Sequence, residues 1–112
     1  MRLVWLLQAA WWAVPKLESK LQRDATLYAR GKGCATLKLN VMGRRGWPDV
    51  LFLYPTERLI FVEFKQEGVK ASRLQQHIHE WIRKFGFKVE VIDNMADAKA
   101  AIDRLISEAH FE

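Results

Sequence analysis

Apolar residues change their period several times along this chain, and each change marks an element. From Leu3 to Val14 the run "LVWLLQAAWWAV" is apolar apart from Gln8, and Pro15 closes it. Over residues 16–31, Leu17, Leu21, Ala25 and Tyr28 recur at helical spacing and Gly31 is a natural stop. Residues 34–41, "CATLKLNV", read as a strand, and "GRRG" reads as a loop. Residues 49–54 and 59–65 then form a hairpin through "YPTER". The helical period returns after Ser72, a candidate N-cap, with a stripe of Leu74, Ile78, Trp81, Ile82 and Phe85 that ends at Gly86. "FKVEVID" alternates as a strand does, and Asp93 or Asn94 can cap a last helix running to about Ser107. The order helix, three strands, helix, strand, helix predicts an α/β domain: a mixed sheet of about four strands flanked by helices.

The N-terminal segment 1–15 changes this picture least. Its apolar run is shorter than the roughly 20 residues that span a bilayer. Trp11 and Trp12 near its end, with no small-x-small cleavage site, argue against a signal peptide. It reads as a buried or interface helix. Three Trp in so short a stretch call for a cover, and a second subunit would supply one. Residues 16–112 then form the domain, with no internal repeat or linker, and no membrane partner is expected.

Composition narrows the function classes. Half of the 112 residues are hydrophobic, which excludes a disordered tail. Eighteen Lys and Arg against thirteen Asp and Glu give a net charge of +5, which points to a polyanionic partner, nucleic acid first. The single Cys34 excludes an internal disulfide and a thiolate zinc cluster, and fits a reducing, cytoplasmic setting.

The hairpin carries the candidate chemistry. Strand alternation puts Leu59, Phe61, Glu63 and Lys65 on one face, and Asp49, Leu51 and Leu53 on one face of the partner strand. A turn centred on Thr56 sets Asp49 opposite Glu63. Like charges so placed are destabilising unless something positive joins them. Two readings remain open here. The charges decorate a solvated edge on which Lys65 pairs with a carboxylate, or the carboxylates hold a hard divalent cation such as Mg²⁺. In the second case Lys65 points at the same spot and can orient a water or offset phosphoryl charge. Arg44, Arg45, Lys38, Arg73 and Lys70 flank this region as candidate phosphate contacts or as solvated charge. Glu18 and Gln22 share one helix flank, and Gln75 and His79 another. His77 and His79 read as surface histidines that make no zinc set, with His79 a candidate substrate contact. Trp47 reads as a packing residue.

"GWPDV", then "FVEFK", then "SRLQQHIHEWIRKFGFKVEVID" resembles the VRR-NUC family of the PD-(D/E)xK nuclease superfamily. The matching positions are Gly46, Pro48 and Asp49; Glu63 and Lys65; Ser72 and Gln75; Gly86 with Val89 and Val91; and Glu18 with Gln22 on the first helix. Phe64 stands where a small aliphatic is usual, and residues 1–14 lie outside the pattern. The resemblance implies a restriction-endonuclease-like core and hydrolysis of DNA phosphodiesters with Mg²⁺ or Mn²⁺. It implies Asp49, Glu63 and the Phe64 carbonyl as metal ligands, Lys65 as the catalytic lysine, and Glu18 reaching the metal directly or through a water. It also implies Gln75 near the scissile phosphate, Gln22 beside the DNA, and a homodimer acting on branched DNA, as Holliday-junction resolvases do. The competing expectations are a basic DNA-binding subunit with little cleavage of its own, and an exonuclease or nickase of the same chemistry.

Overall fold

Alternating apolar residues in four short runs pair them into one sheet in the computed structural model, which describes residues 18–43 and 45–107. The elements are α1 (Lys20–Gly31), β1 (Ala35–Lys38), β2 (Val50–Tyr54), β3 (Arg58–Phe64), α2 (Arg73–Lys84), β4 (Lys88–Ile92) and α3 (Met95–Ser107). The sheet order is β1-β2-β3-β4. The first two pairings are antiparallel, and β3 and β4 are parallel. A parallel neighbour requires a crossover, and α2 provides it. Among the described residues, no helix is long and apolar enough to cross a membrane.

The hairpin register is the one expected from a turn centred on Thr56: Leu53 pairs with Leu59 and Val50 with Val62. Thr56 and Glu57 both take positive φ, at 71° and 64°, to close that turn. Arg58 at its exit donates to the carbonyls of Leu105 and Ile106, which ties the hairpin to the C-terminal end of α3.

Caps set the helix starts. The Ser19 side chain accepts the Gln22 amide, so α1 begins at Lys20 rather than at residue 16; Leu17 and segment 1–15 lie outside the described residues. Ser72 caps α2 as expected. Of the two candidates for α3, the Asn94 side chain accepts the Asp97 amide, while Asp93 accepts the Gly68 amide.

One face of the sheet is packed with hydrocarbon. Val50, Phe52, Ile60, Val62, Phe64 and Ile92 meet Ala25 and Ala29 of α1 and Ala98, Ala101, Ile102 and Leu105 of α3. Small residues on the helices let them approach large residues on the strands, which keeps the layer dense. The buried Cys34 joins this core, and desolvation raises its thiol pKa above the ordinary value.

The other face differs from expectation. The apolar stripe of α2 is only partly buried. Ile82 is enclosed and Ile78 half-buried, but Leu74, Trp81 and Phe85 are exposed, and α2 also turns Gln75 and His79 inward, which are likewise at helical spacing. The cause is Glu63, which β3 turns toward this helix and which draws polar side chains inward. The aromatic residues pack among themselves: Trp47 meets Trp81 edge-on at 5.9 Å, and Trp81 meets Phe85 at 5.1 Å.

Candidate active site

The loop before β2 is pressed against α2. Gly46 has φ of 90°, and a Cβ there would lie 2.9 Å from Leu74 Cγ and 3.2 Å from the Leu74 carbonyl oxygen. Only glycine satisfies both the left-handed backbone and the close approach. Pro48, fully buried, then fixes the chain direction into Asp49.

Asp49 brackets Glu63. Its backbone N–H donates to the Val62 carbonyl at 3.0 Å, and its Oδ2 accepts the Phe64 N–H at 2.8 Å. The two bonds grip β3 on either side of the residue between them. The Val50–Val62 pairing, extended by one residue, sets Asp49 opposite Glu63 as the sequence suggested.

Glu63 is 1% exposed and α2 surrounds it. Its Oε2 accepts the Gln75 amide at 3.1 Å and lies 3.8 Å from Lys65 Nζ. Its Oε1 lies 3.9 Å from His79 Nε2, too long for a hydrogen bond. Neither of these two atoms has a hydrogen-bond partner among the described residues. Gln75 serves two masters: its Oε1 accepts the Ser72 N–H at 2.8 Å, completing a capping box, while its Nε2 holds Glu63.

A cavity of about 450 Å³ opens beside Asp49 and Gln75. Gln22, Lys38, Arg45, Trp47, Asp49 and Gln75 are among the residues that line it. Gln22 is buried, and its side-chain amide nitrogen has no partner among the described residues, so it presents an unused donor in the cavity wall. The two exposed cations and that amide make an opening suited to an anion, with the Asp49 carboxylate in its wall.

The fold therefore gathers Asp49, Glu63, Lys65, Gln75, Gln22, Lys38 and Arg45, which stand far apart in sequence. Other sequence candidates fall differently. Glu18 precedes the Ser19 cap, partly exposed, and its carbonyl accepts from Arg23. Lys70 and Arg73 are exposed at the approach to α2, and Arg44 lies outside the described residues. His79 is a correction: at 2% exposure it sits behind Glu63 instead of on the surface, because α2 turns its Gln75–His79 line to the sheet. The signal was present in the four-residue spacing of Gln75 and His79, which any partner of one must share with the other.

The donor set suits a hard cation only in part from side chains. Among the described residues no group of three His, Cys, Asp or Glu converges. Asp49 and Glu63 with the Phe64 carbonyl could supply oxygen donors only to an ion that keeps several waters, as Mg²⁺ does. The unpartnered Glu63 Oε1 is the kind of buried atom that a polar arrangement should satisfy.

A mixed four-stranded sheet flanked by three helices, with an acidic pair where the hairpin opens toward α2, is the restriction-endonuclease-like architecture. A solved structure described as "VRR_NUC domain" matches with a TM-score of 0.71 at 32% identity, covering 77% of this chain and 94% of its own. A curated protein of Acyrthosiphon pisum secondary endosymbiont phage 1, described as "Putative nuclease p44", is 32% identical over 77 residues, which is 69% of this chain and 83% of that protein. No family model matches the chain. The chain belongs to the VRR-NUC family.

Proposed function

We propose that this protein is a metal-dependent nuclease that hydrolyses DNA phosphodiesters internally, with Mg²⁺ or Mn²⁺ held by Asp49, Glu63 and the Phe64 carbonyl. The observation that carries the reading is the bracketing of Glu63 by Asp49. A fold that spends backbone and side-chain bonds to bring two carboxylates together, one of them buried, has a use for their charge. The phage relative described as a nuclease supports the same chemistry.

The residues divide the work. An ion held by Asp49, Glu63 and the Phe64 carbonyl would supply positive charge against a phosphoryl oxygen and would acidify a water. Lys65, 3.8 Å from Glu63 Oε2, orients the attacking water or balances charge building on phosphorus. Gln75 fixes the Glu63 carboxylate in place. Lys38 and Arg45 engage phosphates flanking the scissile one, and Gln22 offers a neutral donor to the same backbone. Glu18, at the entrance of α1, would act directly or through a water.

The substrate we propose is branched DNA, cut by a homodimer of Holliday-junction-resolvase type in replication, recombination or repair. An apolar surface supports a second subunit. Leu37 on the sheet and Trp81, Phe85 and Phe87 around α2 are all exposed. An isologous contact would bury such patches from both sides.

A cleavage panel tests the reading: single-stranded, duplex, flap and four-way DNA, linear and circular, with Mg²⁺, Mn²⁺ or chelator. Cleavage that requires the metal, cuts circular DNA and favours the four-way form is the expected result. Binding without cutting under every metal would instead favour a DNA-binding subunit. Cutting only at ends would identify an exonuclease.

A further inference from the structure

Glu63 is held unevenly, and the uneven side is occupied by a residue with no role so far. On one side, Oε2 meets Gln75 Nε2 at 3.1 Å and Lys65 Nζ at 3.8 Å. On the other, Oε1 faces only His79 Nε2, at 3.9 Å, and both atoms lack a hydrogen-bond partner among the described residues. Both side chains are almost wholly enclosed. A buried carboxylate oxygen and a buried ring nitrogen, each unsatisfied and each facing the other, are a donor and an acceptor that a shift of under about an ångström would join.

We infer that His79 is a positioning residue for Glu63. Its Nε2–H anchors Oε1, so that Oε2, on the Gln75 and Lys65 side, is the oxygen presented to a cation. Facing a carboxylate, Nε2 carries the proton. Ile82, one turn further along the same face of α2, is buried and locks the helix against the sheet, so the ring cannot swing away. An anchor of this kind leaves the carboxylate a single donor oxygen at a fixed angle, and partners behind metal ligands typically set affinity by about 10–100-fold. The inference rests on the reading of Glu63 as a metal ligand given above.

The test is Mn²⁺ titration by calorimetry on the full-length protein without DNA, with cleavage kinetics alongside. His79→Leu keeps bulk and removes the donor; His79→Gln restores an N–H at similar reach. The expected result is Mn²⁺ affinity weakened by about 10–100-fold in His79→Leu and returned toward wild type in His79→Gln. In the kinetics, kcat should fall in His79→Leu while KM for DNA holds. A purely structural histidine would lower the melting temperature and leave Mn²⁺ affinity and kcat of the folded protein unchanged, which overturns the inference. If His79→Leu does not fold, His79→Asn, too short to reach Oε1, takes its place with the same expected loss. Glu63→Gln separates the two levels. If it abolishes Mn²⁺ binding while His79→Leu does not weaken it, only the positioning role fails. If Glu63→Gln leaves Mn²⁺ binding intact, the metal-ligand reading fails and the positioning role with it.

Discussion

Under α1 and α3 the sheet presents Phe52, Ile60, Val62 and Phe64 to a layer of alanines, Ile102 and Leu105; under α2 it presents Phe61, Val89 and a buried glutamate to Gln75 and His79. Both faces are made by the same strands, since alternate residues of β3 supply each. Hydrocarbon on the first face needs only close neighbours. The second holds Glu63 Oε1 and His79 Nε2, which have no hydrogen-bond partner among the described residues; α1 carries two more such atoms, Gln22 Nε2 in the cavity wall and Thr26 Oγ1. The contrast teaches where the sequence is fitted for stability and where it is fitted for a ligand. A face built only to fold would not set a carboxylate at 1% exposure opposite a second carboxylate.

The strongest test of that division is to neutralise the polar face. Asp49→Asn or Glu63→Gln should reduce cleavage by at least about 10²–10³-fold, the scale of losing a key electrostatic group. The melting temperature of Glu63→Gln should stay at or above that of the wild type, since a buried charge is removed, and that of Asp49→Asn should hold, since an amide oxygen can still accept the Phe64 N–H. Gel assays of cleavage and thermal denaturation of the same samples measure both. A variant that cuts normally but unfolds easily would reverse the assignment of the two faces.

Phe52→Ala attacks the other face. The ring is buried in the core, and its loss should cost about 3–5 kcal/mol of unfolding free energy. Urea denaturation reads that cost. At low temperature, where the variant remains folded, its specific cleavage rate should match the wild type.

Gly46→Ala tests the loop that connects the two functions. The added methyl meets Leu74 and forces a left-handed backbone, at a combined cost of about 1–3 kcal/mol. Because this loop leads directly into Asp49, both the melting temperature and cleavage should fall, unlike either variant above. A loss of stability with full activity would show that the loop only packs.

The smallest effect belongs to neither face. Asp93 accepts the Gly68 N–H at 2.9 Å and a bond from Asn94, which together hold its carboxyl below the ordinary aspartate range. A lowered folded pKa stabilises the protein above the unfolded value of about 3.9, and that contribution disappears as pH falls through the folded value. Asp93→Asn should therefore be slightly less stable than wild type near neutrality, with the gap closing below about pH 4. Melting curves across pH check this, and a gap that widens in acid would contradict the sign.

Much of the fold was legible because local signals agreed with it. Ser72 capped α2 where a hydrophobic period began, and the Thr56-centred turn dictated a register that carried Asp49 to Glu63. What was not legible was the rotation of α2. Periodicity says which residues share a side of a helix, but the neighbour decides which side is buried. Here the neighbour was a carboxylate, so Gln75 and His79 went in while Trp81 and Phe85 stayed out. Gln22 was marked only by the family pattern, since periodicity cannot say how near α1 stands to a loop more than twenty positions away.

Gln75 joins two structures that are usually separate. One end of its amide closes the first turn of α2, and the other end holds the Glu63 carboxylate. The side chain is short and planar, so neither end can move without pulling on the other. Fraying of that turn would loosen Glu63, and whatever settles on Glu63 would in turn quiet the turn. Slow exchange of the Gln75 amide hydrogen, which is held by the Ser72 hydroxyl, would then register occupancy at a site it never touches, making the start of this helix a built-in reporter.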